Sequence, residues 1–153
     1  MKFHKLHKKQ FLPIDINLAW EFFSSPLNLS KITPSYMDFR ITSDLPEEMY
    51  EGMIITYKVK PVAGIPVNWV TEISHIRKPY FFIDTQLSGP YKLWHHQHIF
   101  KEVDNGIEME DIVHYKLPFG ILGNIANFLF VSKQLEGIFN YRKKVLSEIF
   151  KGG

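Results

Sequence analysis

The sequence predicts one α+β domain over residues 1–153: a curved antiparallel sheet of about seven strands wrapped around a long C-terminal helix, with one or two short helices after the first strand. Three observations lead there. Two alternating runs, Trp94-x-His96-x-His98-x-Phe100 and Met109-x-Asp111-x-Val113-x-Tyr115, flank Asp104-Asn105-Gly106. Asn-Gly between alternating runs favours the hairpin turns whose twist matches the strands. Similar runs, broken by Pro and Gly, fill the chain from Met37 to Leu117. After Pro118 the apolar spacing changes from two to three and four, the period of a helix.

Each element follows from its residues. Lys2–Leu12 alternates loosely and reads as a strand whose lysines form a solvated, edge-protecting face. Pro13 ends it. Asp15 is the expected N-cap of a helix carrying Leu18, Ala19, Phe22 and Phe23 at helical spacing. Pro26 closes that helix and leaves room for one short turn over Leu27–Ile32. Strands are expected at Met37–Thr42, Met53–Lys60, Val67–Arg77, Tyr80–Leu87, Lys92–Val103 and Ile107–Leu117. Pro46, Gly52, Pro61, Gly64-Ile65-Pro66, Lys78-Pro79 and Ser88-Gly89-Pro90 mark the breaks. A two-residue loop at Asn105-Gly106 sets Phe100 near Asp111 and His96 near Tyr115. Leu122–Phe150 is expected as one helix, with Ile125, Leu129, Leu135, Ile138 and Leu146 facing the sheet.

Composition narrows the function. A 153-residue chain with 45% hydrophobic residues can build a real core. Its 13 Phe and 7 Tyr imply either an aromatic core or an aromatic cavity. A net charge of +2 is too small to argue for a nucleic-acid partner or an anionic membrane. Without cysteine there is no disulfide or thiol chemistry. The start lacks the apolar run of a signal peptide, and no stretch reaches the length of a membrane span, so cytoplasmic localisation without stable membrane insertion is the expectation. No phosphate-binding glycine loop, nucleophile elbow or His-Glu-x-x-His is present.

An antiparallel sheet needs cover on its apolar face, and only the C-terminal helix is long enough to supply it. A curved sheet gripping one helix leaves a cavity between them. Gly89-Pro90-Tyr91, the Trp94–Phe100 and Met109–Tyr115 runs, Pro118-Phe119-Gly120 and Ile138-Phe139-x-Tyr141-Arg142, in this element order, resemble the helix-grip fold of the START/Bet v 1-like (SRPBCC) superfamily. They look most like its bacterial polyketide cyclase/dehydrase-like, ligand-binding branch. That resemblance implies a protein that binds a lipid-, polyketide- or aromatic-like small molecule, with enzymes among its relatives.

Alternation puts His96, His98 and Asp111 on one side of the hairpin, together with Trp94 and Tyr115. A His-x-His pair with a third carboxylate is also a metal-ligand pattern, but hydrogen-bonded pocket histidines are the expected use, and no metal or cofactor is assigned. On Tyr80–Leu87 the inward face is open: Phe81, Ile83, Thr85 and Leu87 are the more apolar set, whereas a tight connection sets Asp84 opposite His96. The resemblance favours Asp84 inward, completing a polar cluster that would exist as a mutual network. Trp69, Trp94 and Tyr57 are candidate flat walls. Arg142 interrupts the helix stripe; it either caps the pocket by binding an anionic ligand group or snorkels to solvent, and snorkelling is the more common fate. The expected ligand-binding residues are Trp69, Asp84, Trp94, His96, His98, Asp111, Tyr115, Phe128 and Leu135. If the protein is an enzyme, a cyclase or dehydratase, then His96, His98 and Asp111 are the acid–base candidates. A filled-core interaction module is the third possibility.

Overall fold

Seven antiparallel strands build one sheet in the computed structural model, which describes residues 3–62 and 64–151. They are β1 (His4–Leu12), β2 (Arg40–Ile41), β3 (Ile54–Val62), β4 (Ile65–Arg77), β5 (Phe81–Ser88), β6 (Leu93–Val103) and β7 (Gly106–Lys116), ordered β1-β7-β6-β5-β4-β3-β2. The chain runs as a meander from β2 to β7, and β1 closes beside β7. Helices α1 (Ile16–Phe23) and α2 (Pro26–Leu29) follow β1. The C-terminal helix runs as α3 (Gly120–Ala126), a π-turn (Asn127–Val131) and α4 (Ser132–Ile149). Lys2, the expected start of the first strand, lies outside the described residues.

Asp15 caps α1 as its residue type predicts, accepting a hydrogen bond from the Asn17 N–H at 2.8 Å. The buried stripe of that helix is Ile16, Ala19 and Trp20; Leu18 faces outward. The strand expected over Met37–Thr42 shrinks to Arg40–Ile41. Ser35–Met37 winds into a 3₁₀ turn, and Asp38 takes a left-handed conformation (φ 44°), which stops an extended run.

The central hairpin slips by two residues from its expected register. Its loop is Asp104-Asn105, so Phe100 opposes Met109, His98 opposes Asp111 and Trp94 opposes Tyr115. Asn105 supplies the positive φ of 67°. Gly106 is already in the strand, where a Cβ would meet the Leu12 carbonyl at 2.2 Å, so it is the close approach of β1 that requires glycine there. A slip of two preserves the faces, and the polar set stays together.

Of three apolar clusters among the described residues, two take in residues of the C-terminal helix. One gathers Leu12, Ala19, Trp20, Phe82, Phe100 and Leu146; the other gathers Leu6, Val59, Trp94, Val113, Leu135 and Phe139. Burying such side chains contributes about 1.5–3 kcal/mol each. Leu135, Phe139, Arg142 and Leu146 form the buried stripe of α4. The first third of the helix departs from expectation: Leu122, Ile125 and Leu129 face solvent.

Candidate functional site

A polar layer separates the two apolar clusters. Along β6 the inward residues read Trp94, His96, His98, Phe100; along β7 they read Met109, Asp111, Val113, Tyr115, all of them buried. β5 adds Phe82 and Asp84, and α4 adds Arg142. Alternation brings His96 and His98 onto one face, 3.7 Å apart centre to centre, and Phe82, opposite His98 on β5, stacks on it at 4.1 Å.

Two carboxylates bracket the imidazoles. His98 donates from Nε2 to Asp84 Oδ2 at 2.5 Å, and His96 donates from Nε2 to Asp111 Oδ1 at 2.7 Å. The cross distances, His96 Nδ1 to Asp84 and His98 Nδ1 to Asp111, are both 3.6 Å. Arg142 stands 3.6 Å from Asp111 through Nη2, with its guanidinium over the Phe23 and Phe139 rings. It does not snorkel. It is 6% exposed, because Asp111 supplies the opposite charge at the level where the helix crosses β7.

Burial sets the protonation states. It pushes the His98 imidazole down to about 4, helped by His96 beside it and opposed by the Asp84 hydrogen bond. His98 is therefore neutral near pH 7. Burial alone would raise both carboxyls, but their partners outweigh it: the imidazoles hold Asp84 below its usual range, and Arg142 followed by the imidazoles does the same for Asp111. Among the described residues three buried side-chain polar atoms lack a partner: His98 Nδ1, Arg142 Nε and Trp69 Nε1. All three belong to side chains that line one cavity of about 200 Å³.

That cavity's walls are Phe82, Trp69, Trp94, Tyr57 and Phe139, with Asp84, His96, His98 and Arg142 at one corner. Half-buried Pro26 and Asn28 of α2, with Thr33 and Met49 from the following loops, complete the lining. The structure brings Trp69, Asp84, Trp94, His96 and His98 to the cavity. The inward face of β5 is the one bearing Asp84, which pairs with His96 in register. Gln86 instead clamps the following loop through the Tyr91 backbone.

The other expected residues sit elsewhere. Asp111 lies behind His96 as its hydrogen-bond partner. Tyr115 donates to Asn127 Oδ1 at 2.7 Å, and Leu135 packs with Leu6 and Val113. Phe128 is 79% exposed. The helix wall expected near Phe128 and Leu135 is formed instead by Ile138, Phe139 and Arg142. Tyr115 draws Asn127 inward, and one helical step turns Phe128 away from the sheet. Arg142 is the site residue that sequence reasoning read as solvated. Its signal was a cation in an apolar stripe, one turn beyond Phe139.

Asp84, His96 and His98 also offer one donor atom each within 4.8 Å of one another, a spacing compatible with a metal ion. Both Nε2 atoms are already committed to carboxylates, however, and a divalent ion would face the nearby guanidinium.

No protein-family model matches the chain, and no curated protein sequence does. Solved structures do match, over nearly its whole length. Protein CV1439 from Chromobacterium violaceum superposes with a TM-score of 0.73 at 10% identity, covering 98% of this chain and 99% of that one. The ginseng major latex-like protein 151 from Panax ginseng gives 0.70 at 11% identity, again covering 98% and 99%. The chain has the Bet v 1-like helix-grip fold. TTHA0849 from Thermus thermophilus shares it too, with a TM-score of 0.67 at 16% identity and 95% of each chain covered. At such identities the likeness is one of fold, and the helix-grip scaffold by itself assigns no ligand.

Proposed function

We propose that this protein binds a small apolar or amphipathic molecule, polyketide- or aromatic-like, of one or two rings. The observation that carries this is the cavity of about 200 Å³ with aromatic walls and one polar corner. Apolar cavities of roughly 150 Å³ take up benzene, so this volume suits a compact ring system better than a long acyl chain. Apolar burial drives binding at ~25 cal/mol per Å². The unpartnered Trp69 and Arg142 N–H groups ask for an acceptor, so a carbonyl, phenol or carboxylate on the ligand completes them. Work in the cytoplasm without a nucleic-acid partner belongs to the same reading. Calorimetric titration with naphthalene, 2-naphthol and 2-naphthoate tests it. Saturable 1:1 binding, stronger for the oxygenated probes and lost on Ile138→Trp, is expected. Absence of saturable binding by all three sinks the idea.

One observation favours a second reading, in which the same cavity performs cyclase- or dehydratase-like acid–base chemistry: two short imidazole–carboxylate pairs stand at the cavity corner. Asp84, the carboxylate that lines the cavity, would remove a proton next to a carbonyl. His98 would hold that carboxylate in place, and Arg142 would stabilise the enolate oxygen. Deuterium exchange into 2-tetralone, followed by NMR, tests it. A rate about 10²–10⁴-fold above buffer, lost in Asp84→Asn, supports the chemistry. A rate equal to buffer leaves binding alone.

A further inference from the structure

The segment from Phe119 to Val131 is built inside out. Its polar residues face the protein: Asn124 bonds the His4 imidazole at 3.3 Å, and buried Asn127 accepts from Tyr115. Its large apolar residues face outward. Phe119, Ile121, Leu122, Ile125, Phe128, Leu129 and Phe130 are between 47% and 82% exposed. Ile121, Leu122 and Ile125 are exposed on α3 and the consecutive Phe128, Leu129 and Phe130 on the π-turn that follows, so both segments present apolar side chains to solvent. The tip of the β3–β4 hairpin adds to the same surface, because Gln134 donates to the Pro61 carbonyl and so places exposed Val62 and Ile65 beside the helix.

The charged residues nearest to this segment in sequence are lysines. No carboxylate occurs between Asp111 and Glu136, whereas Lys116 and Lys133 bracket the segment. Lys92 joins them, donating its backbone N–H to the Lys116 carbonyl at 2.8 Å. None of the three lysines is ion-paired among the described residues. An isolated apolar surface of this extent is rare on a monomer and marks an interaction site.

We propose that Phe119–Val131, with the β3–β4 tip, docks on the surface of an anionic lipid bilayer. The phenylalanines and leucines enter the headgroup–acyl boundary, and Lys92, Lys116 and Lys133 meet the lipid phosphates. The run of exposed apolar side chains from Phe119 to Phe130 matches the apolar boundary of such a bilayer, and the unpaired lysines match its anionic headgroups. This is attachment and not a crossing: among the described residues no helix is long and apolar enough to span a membrane. Docking here is independent of the cavity reading, since the segment contributes no cavity wall.

Flotation with phosphatidylcholine vesicles, with and without phosphatidylglycerol, tests it. The protein should float with the phosphatidylglycerol vesicles and dissociate as salt is raised. The double variant Phe128→Ser/Phe130→Ser should weaken flotation at least about tenfold, and Lys116→Glu/Lys133→Glu by roughly tenfold. Both pairs are surface positions, and circular dichroism confirms that the fold is kept. Failure to float, or flotation unchanged in the phenylalanine variant, overturns the proposal. So does a dimer in sedimentation velocity that the phenylalanine variant dissolves while vesicles bind nothing, which would assign the surface to a second copy of the chain.

Discussion

His98 shows how much one side chain gains from its surroundings. Its imidazole is held down to about 4 in the folded protein, against about 6.5 for an unperturbed histidine. The unfolded chain therefore takes up this proton first as pH falls. Stability from this group is fully present above about pH 6.5 and is lost progressively as pH falls toward 4. Urea unfolding at pH 7 and pH 5 should show a loss of about 2 kcal/mol that His98→Gln removes. An equal loss in the variant would place the titration elsewhere. Asp111 carries a second expectation. Asp111→Asn leaves Arg142 buried without a counter-charge and should cost about 3–5 kcal/mol, read as a lowered urea midpoint. Asp84 and Asp111 act in the same direction of linkage but over a lower pH window: both are held below their usual range, so their contribution stands above about pH 4 and fades below it.

Two glycines separate packing from propensity at the level of elements. Gly106 opens β7 against β1, where a Cβ would strike the Leu12 carbonyl. Gly106→Ala should destabilise by roughly 1–3 kcal/mol, because the two strands must part to admit it. Gly137 sits inside α4 with nothing within 4 Å of an added Cβ. Gly137→Ala should stabilise by about 0.5–1 kcal/mol, since only helix propensity changes. Thermal unfolding of both variants checks the pair, and opposite signs are required. The same contrast explains where element boundaries were legible. Pro13, Asp15 and the Pro/Gly breaks act locally and mark their boundaries in the sequence. The shrinkage of β2 and the two-residue slip of the hairpin come from Asp38's left-handed turn and from the contact of β1 with Gly106.

Among the described residues three apolar clusters build the core, and α4 contributes to two of them and to the charged layer between those two. Leu146 anchors one cluster, Leu135 and Phe139 the other, and Arg142 enters the polar layer one turn from Phe139. The cavity opens beside that layer, at the place where the sheet curves away from the helix. Ile138→Trp should fill part of it. We expect at least a tenfold loss of 2-naphthol affinity, with a stability change within about 1.5 kcal/mol, measured by calorimetry and urea unfolding together. Unchanged affinity in a folded variant would move the binding site away from this cavity.

Alternation by itself determined that Trp94, His96 and His98 share one face, the hairpin register decided that Asp111 joins them, and the three-to-four spacing after Pro118 predicted a helix. Those periodicities are local backbone geometry, so they are written in the chain. The sequence also showed that Phe119–Val131 is rich in apolar residues, and its period assigned them to the core. Only the tertiary structure decided otherwise, because His4 and Tyr115, from two different strands, capture Asn124 and Asn127 and rotate the helix. It likewise decided that β5 turns Asp84 inward against its more apolar alternate face, and that Arg142 is buried. In both cases the deciding partner is a charge or hydrogen-bonding group distant in sequence, whose alignment depends on how strands and helix cross.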